Sequence, residues 1–493
     1  MFYKSTRSND QATATAAEVI KQGLANDGGL FVPESIPTLT MDEIKALCKE
    51  SYPVRAATIL SKFLTDYTYE ELLADCTEAY AETSFVGGAA PLVNIHDQFE
   101  SLELWHGPTA AFKDMALQIM PRLLSRALVK TGEERTALIL VATSGDTGKA
   151  ALEGYKDVDR VKIMVFYPVD GVSRVQKLQM ATQTGSNVNV CAIRGNFDDA
   201  QNGVKEIFGN AEMAEKLNEK GYFFSSANSI NWGRLAPQIV YYVSAYCDLL
   251  NSGKCKAGDS FNVCVPTGNF GNIFAAYLAK LMGLPIGHMV CASNTNNILT
   301  DFLRTGTYDR NRDFYLTMSP SMDILISSNL ERLLYFTAGS EKTAAYMSEL
   351  KKNGVYTVDA DTLAEIRKNF SGYFTDENET AQTIKDTYSK YGYLADTHTA
   401  VAIHAAEEYV RETGDARPMV IDSTASPYKF ANNVYRAVTD KEAQTELSAL
   451  DELSATTNTA IPYPLAGLAD RKVNFDQVVD REDMAKAVLE YLG

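Results

Sequence analysis

The chain has 493 residues, 45% of them hydrophobic and 22% charged, the proportions of an ordinary globular protein too long for one compact core, so two or three domains are expected. With 46 basic against 63 acidic residues the formal charge is −17, which argues against a nucleic-acid surface and leaves any anionic ligand to be held by local donors. Seven irregularly spaced cysteines without a C-x-x-C pair read as reduced thiols, not as zinc ligands or a disulfide framework.

The start, Met1-Phe2-Tyr3-Lys4-Ser5-Thr6-Arg7, runs straight into polar sequence with no cationic and apolar leader. The longest apolar stretch, Ile273 to Ala292, is broken by Lys280, Gly283, Pro285 and His288 and reads as helix, turn and strand. The expected location is therefore the cytoplasm, with neither a membrane nor a nucleic acid as partner. Residues 1–95 read as a separate, mainly helical N-terminal domain with one turn and strand at Asp27-Gly28-Gly29-Leu30-Phe31-Val32-Pro33.

Lys113 follows in Trp105-His106-Gly107-Pro108-Thr109-Ala110-Ala111-Phe112-Lys113-Asp114, an amine among aromatic and small apolar residues. A partly desolvated ammonium has a lowered pKa and suits Schiff-base chemistry; a helical lysine snorkelling into water is the plainer alternative.

From about Ala137 the chain alternates apolar runs with amphipathic helix patterns. The runs are Leu138 to Ala142, Val161 to Tyr167, Val188 to Ile193, Tyr222 to Ser225, Phe261 to Val265, His288 to Ala292 and Met419 to Asp422. Strands apolar throughout predict parallel sheets covered on both faces, with ligands at the strands' carboxyl ends.

Four turns stand at such ends. Thr143-Ser144-Gly145-Asp146-Thr147-Gly148 opens a helix and reads either as an anion site or as an ordinary N-cap; threonine at 143 excludes a P-loop. Pro266-Thr267-Gly268-Asn269-Phe270-Gly271-Asn272 has the glycines and asparagines that let consecutive amides converge on one phosphate. Ser225 to Arg234 offers hydroxyl, amide and guanidinium donors, or equally a polar cap for the next helix. Asp422-Ser423-Thr424-Ala425-Ser426-Pro427 is by itself a turn former. Asp198 and Asp199 are assigned to a helix start, and His398 and His404 lack a third ligand, so no metal is expected. The last residues, from about Asp440, read as a helical extension interrupted at Ile461-Pro462-Tyr463-Pro464.

Together these segments resemble pyridoxal-phosphate enzymes of fold type II, specifically the longer-chain threonine synthases of bacteria and fungi. The motifs that carry the resemblance are Tyr3 to Arg7, Asp27 to Pro33, His106-Gly107-Pro108-Thr109 with Phe112-Lys113-Asp114, Ser144 to Gly148, Asn228 to Arg234, Ser319-Pro320-Ser321-Met322-Asp323-Ile324-Leu325, and Ser423-Thr424-Ala425. The resemblance implies an α/β fold with two parallel-sheet domains of the tryptophan synthase β type plus the N-terminal domain. It divides the chain into 1–95, a large domain of 96–113 and 232–440, a small mobile domain of 114–231, and an extension of 441–493.

It further implies pyridoxal 5'-phosphate linked to Lys113 beside Phe112, its phosphate held by Gly268, Asn269, Phe270, Gly271 and Asn272, its ring nitrogen facing Thr424 and its ring hydroxyl near Asp146. Ser144, Gly145 and Thr147 would take the substrate carboxylate, and Ser229, Arg234, Asn269 and Lys149 its phosphate. The activity implied is conversion of O-phospho-L-homoserine and water to L-threonine and phosphate, the last step of threonine biosynthesis, by a monomer or homodimer. The rival on the same scaffold is a phospho-lyase giving 2-oxobutyrate, and the rival of another class a binding protein without catalysis. Ser426, Tyr428 and Thr397 depart from the family pattern beside the expected site.

Overall fold

The computed structural model describes residues 1–143, 145–170 and 172–493. Two parallel-stranded sheets organise it. The larger has six strands in the order Phe370–Phe374, Ile286–Ser293, Phe261–Pro266, Met419–Ser423, Phe99–Glu103 and Leu92–His96. Its first five run parallel, and Leu92–His96 closes the edge as an antiparallel hairpin with Phe99–Glu103. This hairpin adds one antiparallel edge to the expected parallel sheet. It also carries the large sheet across position 95, where a domain limit was expected.

The smaller sheet has five parallel strands, Val478–Val479, Val188–Ile193, Val161–Pro168, Thr136–Ala142 and Tyr222–Ser225. Its four long strands are the apolar runs read from the sequence. Fully buried strands such as Phe261–Pro266 expose no face to water, so apolar residues occupy both sides instead of alternating.

The segment expected as a helical extension also carries a strand. Val478–Val479 pairs with Ala192 and Ile193 and adds an edge to the small sheet, while the helix Met484–Leu492 places Met484 and Val488 in that sheet's apolar cluster. Polar and acidic surroundings hide so short a pairing from any periodicity argument.

In the N-terminal segment Tyr3–Ser5 pairs with Phe31–Pro33, and capping boxes at Thr15, Thr40 and Thr68 start three helices. Fully buried Arg332 ties this segment to the rest: its Nε donates to Phe31 O at 3.0 Å and its Nη2 to Ile230 O at 2.6 Å. Asn231 Nδ2 reaches Ile20 O at 2.9 Å, so the N-terminal helices buttress the loop before Trp232. Asp199 completes a capping box with Asn196 at the start of Phe197–Gly209. No helix among the described residues is long and apolar enough to cross a membrane.

Candidate active site

A cleft of about 260 Å³ opens at the carboxyl ends of both sheets. Its walls come from turns following Thr136–Ala142, Phe261–Pro266 and Met419–Ser423, where open α/β sheets bind ligands. Phe112, Lys113, Asp146, Thr147, Ser229, Arg234, Gly268, Asn269, Gly271, Asn272 and Thr424 all line it.

Lys113 heads the short helix Asp114–Leu117, and this position aims its chain into the cleft beneath the two sheets. The backbone is fixed from the large sheet, since Phe112 N donates to Thr424 O at 2.8 Å. Its Nζ donates to Ser321 Oγ at 3.3 Å and stands 3.9 Å from Asp146 Oδ2. Burial lowers its pKa to about 8, with Asp146 opposing and Lys429 and Arg234 assisting the fall. The amine is thus easily freed of its proton near neutrality, which the snorkelling alternative would not give.

Asp146 collects the charge of the site. Lys429 Nζ lies 3.1 Å from its Oδ1, Gln176 Nε2 donates to the same oxygen at 2.7 Å, and Ser321 Oγ donates to Oδ2 at 3.3 Å. Burial works against ionisation, but the ammonium groups of Lys429 and Lys113 outweigh it and hold this carboxyl well below the usual range. Beneath it Asp114 accepts from Thr109 N at 2.8 Å and Thr109 Oγ1 at 2.7 Å, and burial raises its pKa to about 6.

Gly145, with φ 151°, stays outside the cleft lining. Its N–H donates to Thr143 Oγ1 at 3.0 Å, and a Cβ there would be built into the Gln176 amide. Ser144 lies outside the described residues.

Lys149 is not part of the cleft lining, and its Nζ donates to Glu153 Oε2 at 2.8 Å and to Gln183 Oε1. A buried ammonium takes the nearest carboxylate, and the position one turn along its own helix supplies it.

The Phe270 side chain packs into the core against Phe370, so only its backbone, with φ 63°, faces the loop. Ser426 and Tyr428 do not line the cleft either: Tyr428 OH donates to Thr459 O at 2.8 Å, toward the C-terminal segment.

Several lining residues received no role from the sequence. Gln176, Gln238, Ser321 and His398 all face the cleft, and Lys429 supports it from behind. Ser321 stood in a quoted motif and His398 was weighed only as a metal ligand; Gln176 sits in an ordinary polar helix that gives no signal.

Residues 2–80 match the family model "Threonine synthase N terminus", 99–421 "Pyridoxal-phosphate dependent enzyme" and 399–488 "Threonine synthase, C-terminal". Threonine synthase of Pseudomonas aeruginosa is 40% identical over 444 residues, spanning 89% of this chain and 90% of its own. The chain belongs to the threonine synthase family.

The likeness extends to three dimensions. The crystal structure of PLP-bound threonine synthase from Brucella melitensis superposes with a TM-score of 0.88 at 38% identity, over 100% of this chain and 98% of that one. Among curated relatives, human threonine synthase-like 1 is 39% identical over 460 residues, 90% of this chain. The chain spans only 61% of that relative's length.

The cleft also suits the cofactor of this threonine synthase and pyridoxal-phosphate family. None of the amides of Gly268, Asn269, Phe270, Gly271 and Asn272 finds an acceptor among the described residues, although they cluster where the helix Gly271–Met282 begins. That is an anion cradle with charge-complementing dipole. A Cβ on Gly268 would stand 2.8 Å from Ser321 O, so only glycine keeps the loop this close to the turn above it. Arg234 is buried with its Nε unpartnered, and burial lowers its pKa to about 10, as expected of a cation that awaits an anion.

Proposed function

We propose that the chain is a pyridoxal-phosphate-dependent synthase that converts O-phospho-L-homoserine and water to L-threonine and phosphate. The observation that carries this reading is Lys113: a buried amine with lowered pKa, facing an ionised Asp146, in a cleft that also holds free loop amides and an arginine whose Nε has no partner.

In this reading the amides of Gly268 to Asn272 would hold the cofactor phosphate, and Phe112, Thr424 and Asp146 would hold the rest of the cofactor. When bound, the cofactor supplies an electron sink conjugated to the substrate Cα. Lys113 Nζ takes the proton from Cα and then handles protons at Cβ and Cγ, a task that needs an amine titrating near working pH. Thr147 and Ser144 orient the carboxylate, and Gly145, whose N–H is held by Thr143, shapes the turn between them. Arg234, Ser229 and Asn269 grip the phosphate that leaves from Cγ, with guanidinium geometry suited to its oxygens.

The small parallel-sheet unit, residues 114–231, closes over the large unit of 96–113 and 232–440 to exclude bulk water, with 1–95 and 441–493 as flanking units. The enzyme works in the cytoplasm as a monomer or homodimer.

Incubation of the purified protein with O-phosphohomoserine tests the reading. Threonine and phosphate in equal amounts, lost together in Lys113→Ala, are the expected result. 2-Oxobutyrate in place of threonine would move the protein to the phospho-lyase reading, and phosphate release without either product would overturn both.

A further inference from the structure

We propose that Ser321, held by the Asp396-backed ring of His398, positions the Lys113 amine for its proton transfers; the inference rests on the reaction proposed above. Lys113 Nζ and Asp146 Oδ2 are 3.9 Å apart, too far for a direct hydrogen bond. The Ser321 hydroxyl spans the gap, accepting from Nζ and donating to Oδ2, each at 3.3 Å. It is the one hydrogen-bond acceptor of the amine among the described residues.

Ser321 sits on the single 3-10 turn Pro320–Met322, which has little intrinsic stability. One side of the turn is clamped through Asp323, whose Oδ1 accepts from Asn294 Nδ2 at 2.8 Å and Asn296 Nδ2 at 2.9 Å. From the other side comes the Ser321 N–H, which donates to His398 Nε2 at 3.1 Å.

A backbone N–H has no lone pair, so Nε2 must be the unprotonated nitrogen and the ring proton must be on Nδ1. Asp396 Oδ2 lies 2.8 Å from Nδ1 and accepts its N–H. Asp396 is itself fixed by the N–H groups of His398 at 2.9 Å and Thr399 at 3.0 Å, at the start of the helix Thr397–Thr413. Both side chains are buried, and burying an imidazole and a carboxylate is costly unless each bond is used. The bond from this pair into the cleft goes to Ser321. An acid–histidine pair thereby sets one serine, and the serine sets the lysine.

The test uses Ser321→Ala, His398→Leu and His398→Gln in the full chain, with two readouts. One is kcat and KM for O-phosphohomoserine in the cofactor-loaded enzyme. The other is the pH at which Lys113 is half-labelled by trinitrobenzenesulfonate in the full chain stripped of cofactor, followed by peptide mass spectrometry. The charged groups acting on that amine are Asp146, Lys429, Arg234 and Asp114, all intact in the three variants.

Ser321→Ala is expected to lower kcat about ten- to a hundredfold with KM little changed, the scale of a mispositioned group. Because the ammonium loses its acceptor, half-labelling should fall by about one pH unit. His398→Leu should follow it, and His398→Gln, whose amide oxygen can accept the Ser321 N–H, should recover most of the kcat lost in the leucine variant. Unchanged kcat and half-labelling pH in Ser321→Ala would overturn the inference, even if the leucine variant does not fold. If wild type forms no threonine, the reaction proposed above fails while the labelling shift still decides the role of Ser321.

Discussion

Lys429, behind the cleft, and Asp146 in its wall face each other across 3.1 Å, both buried, and Lys429 Nζ also donates to Thr109 O at 2.7 Å. Removing one partner of a buried pair leaves the other uncompensated, so Lys429→Met should cost about 3–5 kcal/mol. The lowered folded pKa of Asp146 contributes stability that is present above its reference value of 3.8 and is lost as pH falls through the folded value. Urea unfolding of the methionine variant should therefore show a flatter acid-side loss than wild type. Identical unfolding midpoints for both proteins at neutral pH would remove the pair from the account.

Asp422 presents the opposite sign. Tyr242 OH donates to its Oδ2 at 2.7 Å, its Oδ1 has no partner, and burial raises its pKa from 3.8 to about 7. Between those values the native state binds more protons than the unfolded chain, so stability falls as pH rises through this window. Asp422→Asn removes that dependence and should gain up to about 4 kcal/mol at pH 8 relative to its effect at pH 4. Denaturant titrations at the two pH values check it, and a variant that loses stability equally at both would contradict a buried neutral acid.

Gly154 lies in the helix Asp146–Tyr155, and a Cβ there would be built into the carbonyl of Leu117. Gly154→Ala should destabilise by about 1–3 kcal/mol, because backbone cannot give way as a side chain can. The control is Gly209→Ala, whose Cβ meets nothing within 4 Å and which should be neutral or gain a few tenths of a kcal/mol from helix propensity. Thermal unfolding of both variants separates a packing cost from a general intolerance of alanine.

Arg234 donates to Ala227 O from Nη1 at 2.5 Å, while its buried Nε has no partner among the described residues. A lysine cannot reproduce both directions. Arg234→Lys should raise KM for the phosphorylated substrate and weaken inhibition by inorganic phosphate, each about tenfold or more. If phosphate inhibits the variant as strongly as wild type, the phosphate is held elsewhere.

The strands that the sequence disclosed are those whose burial on both faces leaves a run of apolar residues, such as Val161–Pro168 and Val188–Ile193. Phe99–Glu103 escaped because Glu100 and Glu103 look like surface residues. Both are buried, Glu100 against Lys254 and Asn94, Glu103 against His106 and Tyr393. Asn94 and His106 stand nearby in sequence, but Lys254 and Tyr393, which complete the pairing, lie far away, and no window can contain them.

The cleft follows the same division. Glycine and hydroxyl turns after strands announce themselves, whereas Gln176 and Lys429 meet Asp146 through a relationship made by folding. Lys149 shows the converse: it follows a motif in sequence yet spends its charge on Glu153, one helical turn away.

The edge strand Val478–Val479 also orders events in time. A ribosome delivers Val188–Ile193 long before residue 478 exists, so the open edge of the small sheet waits unpaired through most of synthesis. An exposed parallel edge invites pairing with other chains. A nascent chain stalled or clipped before residue 478 would carry Lys113, the glycine-rich turns of the cleft and a sticky border. Val478–Val479 thus acts as a seal, applied long after the strand it covers has been made.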